Sequence, residues 1–417
     1  MPASHRPTRV LFFLAILMSL GLPSLATVPR IDNPDQPVGG HRTAQLEELW
    51  RIGGEDDEDI LLGLVTAAIQ GPDGNTYLLD TQLSQILVIS PDGELVTTLG
   101  REGDGPGELR RPHGLLLWDD HTLGVVQGFP GRITLLELDG TPAGTVTVGG
   151  EAEEGGFNFL NKAMIATDRI VAQKGRGSFD QKTSKSISIS TLSVLDREGD
   201  ELAQICTKKR VNDFRHRVFD ERKNFSEMNQ WTLAPGGIIY TAPERDAYAV
   251  NAYDLDGKLL HTLRRPYTPR KRNDEDKKDI TKGVNMIMNG RRLEVETHVL
   301  DTDPAIRGLH AAADDRLFIT GSHDRPEDLP EGIGSRYEVI SPAGEFLEEL
   351  SLRIPGFDPE ADRVMFLDGR NFLLMRNIEA ATEAVRASFT GGGQDEEEDE
   401  EDLGDAEPLE IVLYRLP

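Results

Sequence analysis

The 417 residues carry 45 Lys and Arg against 72 Asp and Glu, and the resulting net charge of −27 repels nucleic acid and anionic membrane surfaces. A hydrophobic fraction of 38% beside 28% charged residues is that of an ordinary globular chain, able to bury a large core without metals or cross-links. One cysteine, Cys206, excludes an intramolecular disulfide, and inside LAQIC it reads as a small buried hydrophobe on a strand.

The chain opens on Arg6 and Arg9, an apolar run over 10–22 and the small-residue tail Ser24-Leu25-Ala26. That is the pattern of a secretory signal peptide over 1–26, and its apolar run falls short of the roughly 20 residues a membrane span needs. No cysteine follows the run, so the expectation is a soluble exported protein, periplasmic or extracellular. It is not expected to be a lipoprotein or to stay inserted in the membrane after signal removal. Without those two arginines the net charge is −29. Residues 27–43 read as a linker.

From residue 44 onward the chain repeats itself. One unit is a strand, a tight turn and a strand: VTAAIQGPDGNTYLLD (65–80), HGLLLWDDHTLGVVQ (113–127), KAMIATDRIVAQ (162–173), WTLAPGGIIYTA (231–242), RGLHAAADDRLFITG (307–321) and RVMFLDGRNFLLM (363–375). A second hairpin follows the first five: ILVISPDGELVTTL (86–99), ITLLELDGTPAGTV (133–146), LSVLDREGDELAQI (192–205), VNAYDLDGKLLHTL (250–263) and YEVISPAGEFLEEL (337–350). Their turns end in Gly93, Gly140, Gly199, Gly257 and Gly344. Such turns predict two-residue type I′ connections, which need positive φ at both central residues. Two hairpins per copy make a four-stranded antiparallel unit that cannot bury both faces alone. Six units stacked around an axis can, and this predicts an all-β fold, a single six-bladed β-propeller over 44–417.

The sixth copy ends in EIVLYRLP with no outer strand after it. AQLEELWRIGGEDDED (44–59) resembles EFLEELSLRI, so residues 46–52 are expected to return and pair with 410–416, closing the ring and removing its exposed edges.

The glycine cluster GREGDGPGELRRPHGLLL (100–117) lacks the G-x-G-x-x-G spacing before a helix and the lysine of a P-loop. It joins an outer strand to the next inner strand and reads as a connector. With DGNTYLLD before it, this stretch resembles the NHL-repeat family of six-bladed propellers, well over 60–148 and periodically beyond. That resemblance implies the fold. Some relatives of it are enzymes: amidating lyases hold zinc with channel histidines, and gluconolactonase-like propellers hold a divalent ion with a carboxylate and asparagines. Here His113 alone stands at the channel level and His310 lies three residues beyond Arg307; Asn161 and Asn229 fit the second pattern in type, with Asp362 as the one candidate acid.

Two segments interrupt the repeat. The stretch 264–305 is densely and evenly charged and reads as a solvated excursion, with a lid or docking loop as the sharper alternative. The run DEEEDEEDLGDAE (395–407) holds ten acids and no base, which predicts a disordered loop over 391–408 rather than the spaced ligands of a calcium loop.

No G-x-S-x-G, H-E-x-x-H or C-x-x-C occurs, so no catalytic residue, cofactor or metal is assigned. Aligning the six copies places Thr66, His113, Asn161, Asn229, Arg307 and Arg363 at one level of the channel, a polar ring suited to a ligand. Arg307 is the expected anchor, for a carboxylate or sulfate. His113 is expected to add positive charge on mild acidification. The reading is a non-enzymatic binding or scaffold propeller that recognises a protein or small ligand at one face, the alternative being a metal-dependent hydrolase or lyase in the channel.

Overall fold

A computed structural model of the chain describes residues 28–55, 57, 60–150, 156–284, 286–288, 291–293, 295–390 and 407–417. The expected signal peptide over 1–26 and residues 391–406 of the acidic run lie outside them.

Six four-stranded antiparallel sheets form the blades of a propeller. The first is Val65–Gln70, Thr76–Asp80, Gln85–Ile89 and Leu95–Leu99, each strand bonded to the next. Its second strand is buried along its whole length and its outer strand is mostly exposed, since both faces of a blade pack on neighbours while its rim meets water. The core is accordingly divided among the blade interfaces. Phe318, Tyr337 and Phe372 fill the one between blades five and six, with Phe366 edge-on to Phe372 at 5.6 Å.

The turns differ from the type I′ expectation. Gly93, Gly140, Gly199, Gly257 and Gly344 have φ from +80° to +94°, but the residues before them do not have positive φ. In each turn the glycine N–H donates to the carbonyl three residues earlier, as Gly93 does to Ser90 at 3.0 Å and Gly257 to Asp254 at 3.0 Å. This is a type I turn followed by a left-handed glycine, the three-residue hairpin loop. The cause is the first residue: Ser90 Oγ accepts from the N–H groups of Asp92 and Glu94, and Asp254 Oδ1 from those of Asp256 and Lys258. A side chain that bonds forward in this way selects the type I geometry.

The stretch 100–117 is a connector folded around its own carboxylate. Glu108 accepts from the Gly105 N–H at 2.8 Å and from Arg101 Nε at 2.9 Å. A Cβ on Gly103 would lie 2.0 Å from Glu108 Oε2, so only glycine permits the wrap. The Gly105 N–H is thus taken by Glu108 and the Gly103 N–H by the Leu109 carbonyl, so neither is left for a phosphate.

The segment 27–43 is not merely a linker. Arg30–Asp32 adds a fifth strand, in parallel, to the outer strand Leu259–Arg264 of blade four, and His41–Gln45 does the same to Phe346–Arg353 of blade five. Ion pairs hold the second addition, with Arg42 donating to both carboxylate oxygens of Glu348 at 2.8 and 2.9 Å. Glu47–Gly53 is then the outer strand of blade six, antiparallel to Glu410–Arg415 with Glu47 opposite Arg415 and Gly53 opposite Glu410. Trp50 and Ile52 on it are buried.

Blade three is the outlier. Its strands Gly156–Ala166, Arg169–Asp180, Lys185–Leu195 and Glu201–Asp213 run to 11, 12, 11 and 13 residues, about twice the length of those in blade one. No helix among the described residues is long and apolar enough to cross a membrane.

Candidate ligand site in the central channel

The inner strands carry a shared irregularity. Pairing with the second strand slips between Val65 and Ala67, Pro112 and Gly114, Leu160 and Lys162, and Ile306 and Gly308. Thr66, His113, Asn161 and Arg307 are therefore the extra residues of four equivalent β-bulges, a device that re-aims a side chain and locally ends pairing. Blades four and six place their members otherwise. Asn229 ends the short helical turn Glu227–Asn229 before Trp231–Leu233, and Arg363 begins Arg363–Phe366.

Three of these six residues meet around cavities. Asn229 and Arg307 line both a cavity of about 350 Å³ and a second of about 560 Å³, and Arg363 lines the second. The other three line neither. Thr66 is exposed on blade one, and His113 bonds through Nε2 to the Asn161 carbonyl at 3.0 Å. The histidine that does line a cavity is His310, stacked on Phe366 at 5.1 Å. Gly308 makes room for it, since a Cβ there would lie 2.8 Å from His310 Nε2 and 2.5 Å from Thr320 Oγ1. Burial, and then the charge of Lys162, push His310 down to about 4. It is neutral at physiological pH, so the acid-dependent charge expected of His113 finds no counterpart in this cavity.

Lys162, one residue past the bulge of blade three, supplies the charge instead. Its Nζ donates to the Trp231 carbonyl at 2.9 Å and sits 4.6 Å from the centre of the indole. Trp231 is fixed in turn by Nε1 donating to Gln173 at 3.0 Å. Channel water reaches the side chain while protein surrounds it, and burial pulls its pKa down to about 8. Arg307 stands across the same cavity, its guanidinium lowered by burial first and by Arg325 second. Among the described residues, neither Lys162 nor Arg307 has a carboxylate within ion-pair distance. The one carboxylate lining the smaller cavity, Asp324, is engaged by Arg336 Nε at 2.6 Å and the Gly321 N–H at 2.6 Å. Arg363 is different: it pairs with Glu379 at 2.9 Å and donates to the carbonyls of Pro359 and Asp362.

The segment 264–305 covers the larger cavity. Its helix Asp274–Val284 begins at Asn273, whose Oδ1 accepts from the Asp276 N–H while Asp276 accepts from the Asn273 N–H, a reciprocal cap. Asp276, Asp279 and Ile280 of this helix face the cavity. Part of the segment's charge turns inward, while Lys271, Asp274, Glu275, Lys278 and Asp279 stay exposed. Arg270 reaches Asp276 and Asp303 at 2.9 and 3.1 Å, Arg272 reaches Asp303 and Glu221 at 2.7 Å each, and Arg325 reaches Asp276 at 2.5 Å. Burial opposes ionisation of Asp276, yet Arg270, the Asn273 N–H and Arg325 hold its pKa well below the usual carboxylate range.

Alignment of the copies could not reveal Lys162, because a bulge reverses the in-and-out alternation just where the reading stops at Asn161. Asp362, considered as a metal ligand, is buried and accepts from the N–H groups of Asp358 and Asn377 and from Arg376. Among the described residues no group of three or more His, Cys, Asp and Glu is placed to hold a metal ion.

No family model matches the chain, and no curated protein matches it. Among solved structures, a Bacteroides fragilis protein is similar with a TM-score of 0.48 at 9% identity, over 93% of this chain and 99% of that one. A gluconolactonase of Xanthomonas campestris gives 0.41 at 12% identity, over 86% and 87% of the two chains. The virginiamycin B lyase of Staphylococcus aureus gives 0.39 at 10% identity, over 88% and 99%.

Proposed function

We propose that the protein is an exported propeller of the NHL-repeat kind that binds a small anion, a carboxylate or sulfate, in its channel without transforming it. One observation carries this reading: in a chain of net charge −27, Lys162 and Arg307 face one cavity, neither has an ion-pair partner among the described residues, and the one carboxylate lining that cavity, Asp324, is engaged by Arg336. Two cations without a direct ion pair in a confined, partly dry space attract an anion, because the local dielectric is low. The guanidinium offers a planar fork for two oxygens and the ammonium a point charge, while Asn229 and Gln230 add neutral polar groups at the rim. The roof formed by Asp274–Val284 narrows access and favours small ligands.

Calorimetric titration of the mature protein with a panel of mono- and dicarboxylates and organic sulfates tests the reading. Arg307→Ala is expected to weaken binding by about 10- to 100-fold, the worth of a charged hydrogen bond, with little change in melting temperature. Unchanged affinity in that variant would remove the site. Elemental analysis of the same preparation addresses the metal-dependent hydrolase or lyase: a stoichiometric metal surviving dialysis would favour it.

A further inference from the structure

Blade three reverses the sign of the molecule. The stretches 174–185 and 207–223 hold eleven Lys and Arg against four Asp and Glu, within a chain of net charge −27. The extra strand length of this blade, at about 3.3 Å per residue, carries its tip roughly 20 Å beyond the others. That exceeds the physiological Debye length of about 8 Å, so the acidic body does not cancel the field at the tip.

A groove of about 520 Å³ lies along the distal half of the outer strand Glu201–Asp213, where the chain turns and returns through Val218–Asp220. Three features mark it. First, the outer edge of Glu201–Asp213 carries no added strand among the described residues, whereas the equivalent edges of blades four and five each accept one. Second, apolar side chains stand in the open beside it: Val211 is 55% and Val218 50% exposed. Third, Lys223 pairs with Asp220 and Arg210 donates to the Asn224 carbonyl, but the two other cations lining it have no carboxylate partner among the described residues. Arg217 Nε is buried and bonds to nothing among the described residues, and Lys209 has no ion pair there.

We propose that this groove binds an extended acidic segment of a partner protein, one that carries both carboxylate and apolar side chains. Such a segment would add to the free strand edge as Arg30–Asp32 and His41–Gln45 add to theirs, with main-chain bonds giving affinity and side chains giving selectivity. Lys209 and Arg217 receive the carboxylates, and Val211 and Val218 cover the apolar positions. An extended peptide fits better than a flat anionic surface, because Arg217 lines a groove rather than standing at the tip.

The probe is a fluorescein-labelled Val-Glu-Val-Glu-Val-Glu peptide, followed by anisotropy on the full mature chain, with the glutamine counterpart as control. The expected result is binding of the glutamate peptide alone, weakened at least tenfold by Lys209→Glu and by Arg217→Gln, and unaffected by Arg307→Ala. Lys209 is exposed on the strand, so its substitution leaves the fold intact and keeps the test decisive; a thermal melt of each variant accompanies it. Equal affinity in both variants, or loss of binding in Arg307→Ala, would overturn the proposal. So would co-sedimentation with phosphatidylglycerol vesicles that Lys209→Glu abolishes while no peptide binds, since the surface would then be lipid-directed.

Discussion

Arg265 and Glu338 form the most deeply enclosed ion pair between the covering segment and the ring, with side chains 9% and 5% exposed. Arg265 reaches both Glu338 oxygens, one from Nε at 3.0 Å, and Tyr248 donates to Glu338 at 2.6 Å. The guanidinium lies 4.5 Å over the Tyr248 ring and 4.8 Å over Tyr267. Arg265→Met leaves Glu338 with the tyrosine alone, and breaking such a pair costs about 3–5 kcal/mol. With an unfolding entropy of about 2.1 cal/mol/K per residue, the 417 residues give a melting shift of about 3–6 °C. Burial already pushes the Glu338 carboxyl up, so in the variant it protonates rather than remain a bare charge. Its folded pKa then lies above the unfolded value, and the group's contribution is lost as pH rises. The deficit should therefore be larger at pH 8 than at pH 5. Arg265→Met combined with Glu338→Leu should return to within about 2 kcal/mol of the parent, because two charges leave the interior together. Guanidinium unfolding of the four proteins at both pH values measures the cycle. Additive losses in the double variant would refute the reasoning, as they would mean that the two charges are independently hydrated.

Lys162→Met should stabilise the protein at pH 7 by about 1 kcal/mol after allowance for channel water. The parent's stability should rise between pH 8 and about 10.4, where the folded chain has shed a proton the unfolded chain keeps, and the variant should lack that rise. Anion binding should weaken above about pH 8 in the parent as the same ammonium loses its charge, and titrations at pH 7 and 9 would show it. Asp80, fully buried, accepts from the N–H groups of Gly63, Leu64, Gln82 and Leu83, so Asp80→Ala should cost about 3 kcal/mol or more by denaturant titration. Deleting 44–53 should produce early melting or aggregation in light scattering, since blade six loses its outer strand.

The blades were legible because each hairpin turn sits between two apolar runs, a local signal repeated often enough to be periodic. The turn type was not, because it depends on whether Ser90 or Asp254 bonds forward, which spacing alone does not reveal. Arg30–Asp32 and His41–Gln45 escaped notice for a different reason. Two strands of three and five residues with a single apolar side chain each, Ile31 and Ala44, bury one side chain or none, so no alternation marks them. In the channel, alignment found the bulge residues, and Arg307 lies on a cavity. It missed Lys162 and set His310 aside as lying beyond the channel level, whereas their placement follows from the bulge and from the gap left at Gly308. The charges of 264–305 read as solvated because sequence gives their density but not that Arg270 and Arg272 fold back onto Asp276, Asp303 and Glu221.

The N-terminal strands also bear on how the molecule assembles. Arg30 meets Thr262, His41 meets Glu349 and Glu47 meets Arg415, so one short stretch is joined in turn to three consecutive blades made 232, 308 and 368 residues later. Contacts of such sequence separation are slow to form, because the entropy of closing the loop is spent before any of them is gained. On a ribosome the first three blades can collapse as they emerge, whereas this stretch must wait for the last three. Completion of the ring is thereby tied to synthesis of Glu410–Arg415. A chain that cannot finish folding early stays threadable, which suits the export proposed for it.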